Sequence, residues 1–242
     1  MHSREVTTRA SSLMPKPSFK PPASTRRLPR SSGHMYASAH HDHEAGFRFL
    51  SFPAAVVSAN EAAIVYLHGA GERGHDLSSI MRYGLPAMLS EQRAITNCTV
   101  FCPQLEADQV WQPEKVARFI RFVRATSKSV SLLGFSLGGS GVCNLVATHG
   151  PVVEFAMAMA GQGPSCIEAN QAGVRLLAIQ GELDPWPDTG SFLECVRSAG
   201  GHAVDVRLGG QGHFISETAL SHPVAVEMLR TAGVSISLLN AA

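Results

Sequence analysis

Long apolar runs are missing from this 242-residue chain. The longest, such as Ala156 to Ala160 and Leu176 to Ile179, fall far short of the roughly 20 residues that a bilayer-spanning helix needs. No transmembrane segment is therefore expected, although 45% of the residues are hydrophobic and a sizeable core is within reach. An excess of charge of one sign is missing too. The formal net charge is +1, so no global field draws the chain to nucleic acid, and no basic stripe interleaved with aromatics is present. Cysteine is scarce: Cys98, Cys102, Cys143, Cys166 and Cys195 are odd in number and form no CxxC pair. That pattern excludes a disulfide framework and fits a reducing compartment, with thiols acting as small buried hydrophobes.

The charge that is present is unevenly placed. Residues 1–45 carry seven Lys/Arg and three Asp/Glu, leaving 13 basic and 16 acidic residues for the remainder. The tail is rich in Ser, Pro and Arg, and has little with which to build a core, so disorder is expected over 1–45. Its composition suits either an organellar transit peptide or a plain unstructured leader. Location is accordingly cytoplasmic, or mitochondrial or plastid if the tail is a targeting segment. Arg26-Arg27 has no apolar region after it and is not a twin-arginine signal. His40, His41 and His43 lack a fixed frame for a metal, and none is expected.

From about Gly46 short β-leaning runs alternate with helix-length segments. The runs are Ala62 to Leu67, Thr99 to Cys102, Val130 to Leu133, Phe155 to Ala160, Arg175 to Gln180 and His202 to Leu208. The helical segments are Leu77 to Glu91, Glu114 to Ala125, Leu137 to Thr148, Asp188 to Ala199 and Ser216 to Thr231. This alternation predicts one α/β domain over 46–242, with a mostly parallel central sheet and helices on both faces. Each run ends in Gly, Pro or a polar cluster. In such sheets ligands sit beyond the carboxyl ends of the strands, so the chemistry belongs in those loops.

One loop is distinctive. Gly134-Phe135-Ser136-Leu137-Gly138 reads G-x-S-x-G between a β-run and a helical segment. That setting suits a nucleophile elbow, a sharp turn that exposes the serine hydroxyl while its flanks are too crowded for a Cβ. The plain alternative is a glycine-rich connection with an incidental serine. A phosphate loop is disfavoured, because G-x-x-x-x-G-K-[ST] is missing.

A serine nucleophile needs a base, an acid that orients the base, and two N–H donors for the oxyanion. Upstream, His68-Gly69-Ala70-Gly71 follows the first run. Downstream, Asp184 lies just past the fifth run and His213 lies in the glycine-rich loop after the sixth. Glu182 and Asp188 are rival acids. His202 and His222 are rival bases, and His68 either serves as base or packs beside the oxyanion loop.

YLHGAGERGHDL (Tyr66 to Leu77), the CPQ of Cys102 to Gln104 with Trp111 after it, GFSLGG (Gly134 to Gly139), GELD and GQGHF together resemble the α/β-hydrolase superfamily. The likeness runs from Ala62 to the last helical segment and is strongest to small esterases of the carboxylesterase, dienelactone-hydrolase-like and predicted-peptidase branch. It implies an α/β-hydrolase fold without a large lid, and a serine hydrolase acting on carboxylic esters of small or exposed acyl groups. Ser136 would be the nucleophile, Asp184 the acid and His213 the base. Backbone N–H groups of Leu137 and Ala70 would hold the oxyanion, with Gly71 an alternative for the second. Gln104, Trp111 and Trp186 are candidate substrate contacts. No cofactor or metal is called for, and the expected partner is a small-molecule ester. A peptidase, amidase or thioesterase would use the same triad. A binding protein that has lost activity is the alternative of another class.

Overall fold

The computed structural model describes residues 37–55, 61–165, 167–186 and 189–239, with the backbone of 26–27. The expectations for the rest of the tail, for Cys166 and for the rival acid Asp188 lie outside the described residues. A nine-stranded sheet is formed by β1 (Arg26–Arg27), β2 (Ser38–His41), β3 (Arg48–Phe52), β4 (Ala62–Leu67), β6 (Thr99–Gln104), β7 (Ser129–Phe135), β8 (Phe155–Met159), β9 (Arg175–Gly181) and β10 (His202–Leu208). Its order is β1-β2-β3-β6-β4-β7-β8-β9-β10. The six strands from β6 to β10 are parallel, and β1 to β3 continue the sheet antiparallel. A separate pair joins β5 (Ala94–Thr96) to β11 (Ile236–Leu238).

The six parallel strands are the six runs expected from the sequence. Their continuous apolar character has a direct cause, because the central strands are covered on both faces. In β4, Ala63, Val65 and Leu67 enter one core, with α2 (Pro113–Arg124), α3 (Leu137–His149) and α4 (Gly190–Ser198). Ile64 and Tyr66 enter the other, with α1 (Gly84–Ser90), α5 (Ser216–Ser221) and α6 (Pro223–Thr231). Side chains alternate across a strand, and full burial of one such as Ile64 contributes about 1.5–3 kcal/mol. Among the described residues no separate lid domain is built, and no helix is long and apolar enough to cross a membrane.

Three local features differ from expectation. Ser38–His41, placed with the tail from sequence, is a strand paired to β3, with His40 Nε2 2.8 Å from Ser51 Oγ and its ring stacked on Phe49. The stretch Leu77 to Glu91 is two pieces, a 3₁₀ turn (Leu77–Arg82) and α1, broken where Gly84 takes φ +69° against the Tyr66 hydroxyl. Ser216 to Thr231 is broken at His222, which is extended at φ −64° and ψ 133° ahead of Pro223, as the residue before proline tends to be.

Candidate active site

Ser136 stands between β7 and α3 with φ 55° and ψ −117°, a region that side chains other than glycine avoid. Sterics on both sides hold it there. A Cβ on Gly134 would run into the backbone of Gly138, and one on Gly138 into the Leu67 carbonyl of the neighbouring strand. The Ser136 N–H donates to Met159 O at 2.8 Å, which ties the turn to the end of β8. Its own carbonyl accepts from Ser140 N–H at 3.0 Å, the first turn of α3. Leu137 therefore opens the helix, where backbone N–H groups have no intrahelical acceptor and favour negative charge.

Asp184 and His213 come from two loops that are stitched together. Leu183 N–H donates to Gln211 O at 2.8 Å, and Glu182 N–H to Leu208 O at 3.0 Å. Glu182 Oε2 accepts from Gly210 N–H at 2.8 Å, so this rival acid holds the histidine loop by its backbone. Asp184, its side chain fully buried, accepts from Trp186 N–H at 3.1 Å and meets His213 Nδ1 at 2.8 Å. His213 Nε2 lies 2.9 Å from Ser136 Oγ. A carboxylate only accepts, so Nδ1 carries the hydrogen and Nε2 is free to accept from the serine hydroxyl. The arrangement can draw a proton from Ser136 and return it to a leaving group. The rival bases are elsewhere: His202 is exposed at the start of β10, and His222 Nδ1 accepts from Val224 N–H at 3.3 Å to cap α6.

The loop after β4 lies against the serine. Ala70 and Gly71 are exposed on a 3₁₀ turn (Ala70–Glu72). His68 is fixed beneath it. Its Nε2 accepts from Leu105 N–H at 3.1 Å, so its hydrogen is on Nδ1, donated to Gly69 O at 2.6 Å. Burial lowers its pKa to about 4. With both nitrogens engaged, His68 is a structural support for the turn.

The three residues expected to touch substrate do not stay together. Gln104 is buried, and its Nε2 donates to Glu72 O at 3.1 Å and Asp76 O at 2.6 Å. Trp111 is buried, and its Nε1–H donates to His68 O at 3.0 Å. Both residues brace the loop after β4 from within. Their N–H donors answer backbone carbonyls and both side chains are buried, so the structure corrects their placement as substrate contacts. Trp186 is 64% exposed, with its ring 6.4 Å from that of His213. Two neighbours were missed from sequence: Phe214, 76% exposed with its ring 5.6 Å from His213, and Leu183, 65% exposed. The available signal was an apolar residue directly beside each polar candidate, Leu183 before Asp184 and Phe214 after His213.

The fold superposes on a thermostable esterase at TM-score 0.61 and 18% identity, covering 81% of this chain and 62% of that one. It also superposes on Thermogutta terrifontis esterase 2 phosphorylated by paraoxon, at TM-score 0.54 and 14% identity, over 77% and 89% of the two chains. The chain has the α/β-hydrolase fold. A phospholipase/carboxylesterase from Dyadobacter fermentans shares this α/β-hydrolase fold at TM-score 0.52 and 13% identity, over 76% of this chain and 95% of that one. No family model and no curated protein matches the sequence. In this α/β-hydrolase fold the elbow follows the central strand β7, and the Asp184 and His213 loops follow β9 and β10.

Proposed function

We propose that the chain is a serine hydrolase that cleaves carboxylic esters through an acyl-enzyme. The observation that carries this is the unbroken line Asp184 Oδ2–His213 Nδ1, His213 Nε2–Ser136 Oγ, at 2.8 and 2.9 Å. His213 takes the hydroxyl proton as Ser136 Oγ bonds to the ester carbonyl carbon. The carbonyl oxygen becomes an oxyanion, held by the N–H groups of Leu137 and Ala70, with Gly71 the alternative second donor. The carbon–oxygen bond to the alcohol breaks, and the proton on His213 leaves with it. Water then gives His213 a proton, attacks the acyl carbon and frees the acid, and the proton returns to Ser136.

The acyl group proposed is apolar and exposed. Leu183, Trp186 and Phe214 are all more than 60% exposed, on the loops that carry Asp184 and His213. Two of them, Trp186 and Phe214, hold their rings 6.4 and 5.6 Å from that of His213, an exposed apolar pair beside the site that suits such an acyl group. Phe214→Ala and Trp186→Ala are each expected to lower the ratio of kcat/KM for p-nitrophenyl hexanoate over acetate by roughly 5- to 30-fold, the value of one lost apolar contact. An unchanged ratio in both variants would remove these side chains from substrate binding.

The direct test of function is covalent labelling with a fluorophosphonate, read by intact mass and peptide mapping beside Ser136→Ala. One adduct on Ser136, missing from the variant, is expected. A folded protein that takes no adduct would overturn the proposal and favour a hydrolase-fold binding protein.

A further inference from the structure

A cavity of about 220 Å³ lies between α1 and α5, beside the proposed triad. One wall is a single stripe of α1. Gly84, Ala87, Met88 and Glu91 all line it, spaced three and four residues apart so that they share one face of the helix. The cavity therefore runs along α1, whose 7 residues span about 10 Å. The opposite wall is the start of α5 and the loop before it, with Phe214, Ser216 and Glu217.

The near end belongs to the rings around His213. Tyr83, which precedes α1, and Phe214 both line the cavity, with ring centroids 5.3 Å apart. Phe214 lies 5.6 Å from the His213 ring, and Tyr83 lies 4.6 Å from Phe135, itself 5.2 Å from His213. The Tyr83 hydroxyl accepts from Ser216 N–H at 3.3 Å, which ties this end of α1 to α5. The far end is closed by an ionic bridge. Arg93 Nε donates to Glu91 Oε2 at 2.7 Å and its Nη1 to Glu217 Oε2 at 3.0 Å, so one guanidinium joins the end of α1 to α5. Between the ends the floor is apolar, with Ala87 and Met88 buried. Arg82, the remaining charged residue of the lining, is exposed on the rim ahead of Tyr83.

We propose that this cavity is the acyl pocket. The carbon chain of the acid passes over Phe214, lies along the Gly84, Ala87 and Met88 stripe, and stops at the Glu91–Arg93–Glu217 bridge, which limits its length. This rests on the serine-hydrolase function proposed above. The location fits because the wall residue Phe214 directly follows His213. The interior fits because α1 brings no charged side chain before Glu91. The size fits a chain of medium length. At about 30 Å³ for each water-sized heavy atom, a volume of about 220 Å³ holds roughly seven. Saturated acids of about six to eight carbons fill that space, and longer ones meet the bridge.

The test is a series of p-nitrophenyl esters from acetate to dodecanoate, read as kcat/KM for wild type, Arg93→Ala and Ala87→Leu. Each methylene that gains or loses the pocket changes the rate by about fourfold. Wild type is expected to rise to the hexanoate or octanoate and to fall at the decanoate. Arg93→Ala opens the far end from a partly exposed position and should raise the decanoate-to-hexanoate ratio on the order of 10-fold. Ala87→Leu narrows the pocket and should lower the hexanoate-to-acetate ratio by a similar factor. Should that buried substitution fail to fold, Glu217→Ala breaks the same bridge from an exposed position and should act in the direction of Arg93→Ala. The methyl carbon of Met88, assigned in NMR spectra by its loss in Met88→Leu, should shift with added octanoate and not with acetate. A length limit unmoved in Arg93→Ala, a Met88 signal indifferent to octanoate, or a limit that follows the alcohol in a series of alkyl acetates would overturn the proposal. Fluorophosphonate labelling separates the two levels. An adduct on Ser136 with an unmoved limit sinks the acyl pocket alone, whereas neither adduct nor hydrolysis sinks the serine-hydrolase function and the pocket with it.

Discussion

Ser136→Ala is expected to lower kcat/KM for an activated ester by about 10⁴-fold or more, the scale of losing a covalent nucleophile while binding and oxyanion donors remain. The change removes one oxygen from a half-buried side chain, so stability should stay within about 0.5 kcal/mol of wild type. Ser136→Gly should be equally inactive yet more stable. The serine sits at φ 55° and ψ −117°, a conformation that costs a side-chain-bearing residue roughly 1–3 kcal/mol and glycine very little. For a domain of this size each 1 kcal/mol moves Tm by about 2–4 °C. Thermal unfolding of the three proteins beside an ester assay checks both parts. A Ser136→Ala enzyme within about tenfold of wild type would show that the serine is not the nucleophile. A Ser136→Gly protein no more stable than wild type would show that the turn carries no strain.

Gly138→Ala is expected to be severely destabilising. The new Cβ would enter the Leu67 carbonyl, with the His68 carbonyl also within 2.8 Å. Both are backbone atoms at the end of a buried central strand. Neither can turn aside as a flexible side chain would, so α3 must separate from β4. A loss of about 4 kcal/mol or more is expected. Gly212→Ala is the matched control. A Cβ there meets nothing within 4 Å, and the expected change is within about 0.5 kcal/mol. Urea unfolding of both variants measures the difference. Equal stabilities would mean that the elbow tolerates helix–strand separation, and would undercut the steric account of this turn.

The parallel half of the sheet was legible because burial on both faces writes an unbroken apolar run, as in Ala62 to Leu67. The antiparallel edge was not. Arg48–Phe52 carries a charge and a serine, and Ser38–His41 is polar, so neither stands out from a loop. The helix breaks at Gly84 and His222 were obscured because apolar spacing continues across them. At the site, Ser136, Asp184 and His213 were legible from order and strand ends, and the structure brings the three side chains together. Gln104 and Trp111 were misplaced for a physical reason. Being close to a catalytic loop in sequence does not say which way a side chain faces, and both face inward.

The stitching of the Asp184 and His213 loops has a mechanical consequence. Asp184 and His213 ride on one body, the β9–β10 edge of the sheet, whereas Ser136 is anchored through Met159 to the centre. Outward motion of that edge would carry imidazole and carboxylate away together, with their mutual contact intact. At the site, the polar contact between the two bodies among the described residues is the 2.9 Å contact from His213 to Ser136. Warming should therefore part His213 from Ser136 while the Asp184–His213 contact is still whole, and an ester assay should lose its signal before the core unfolds.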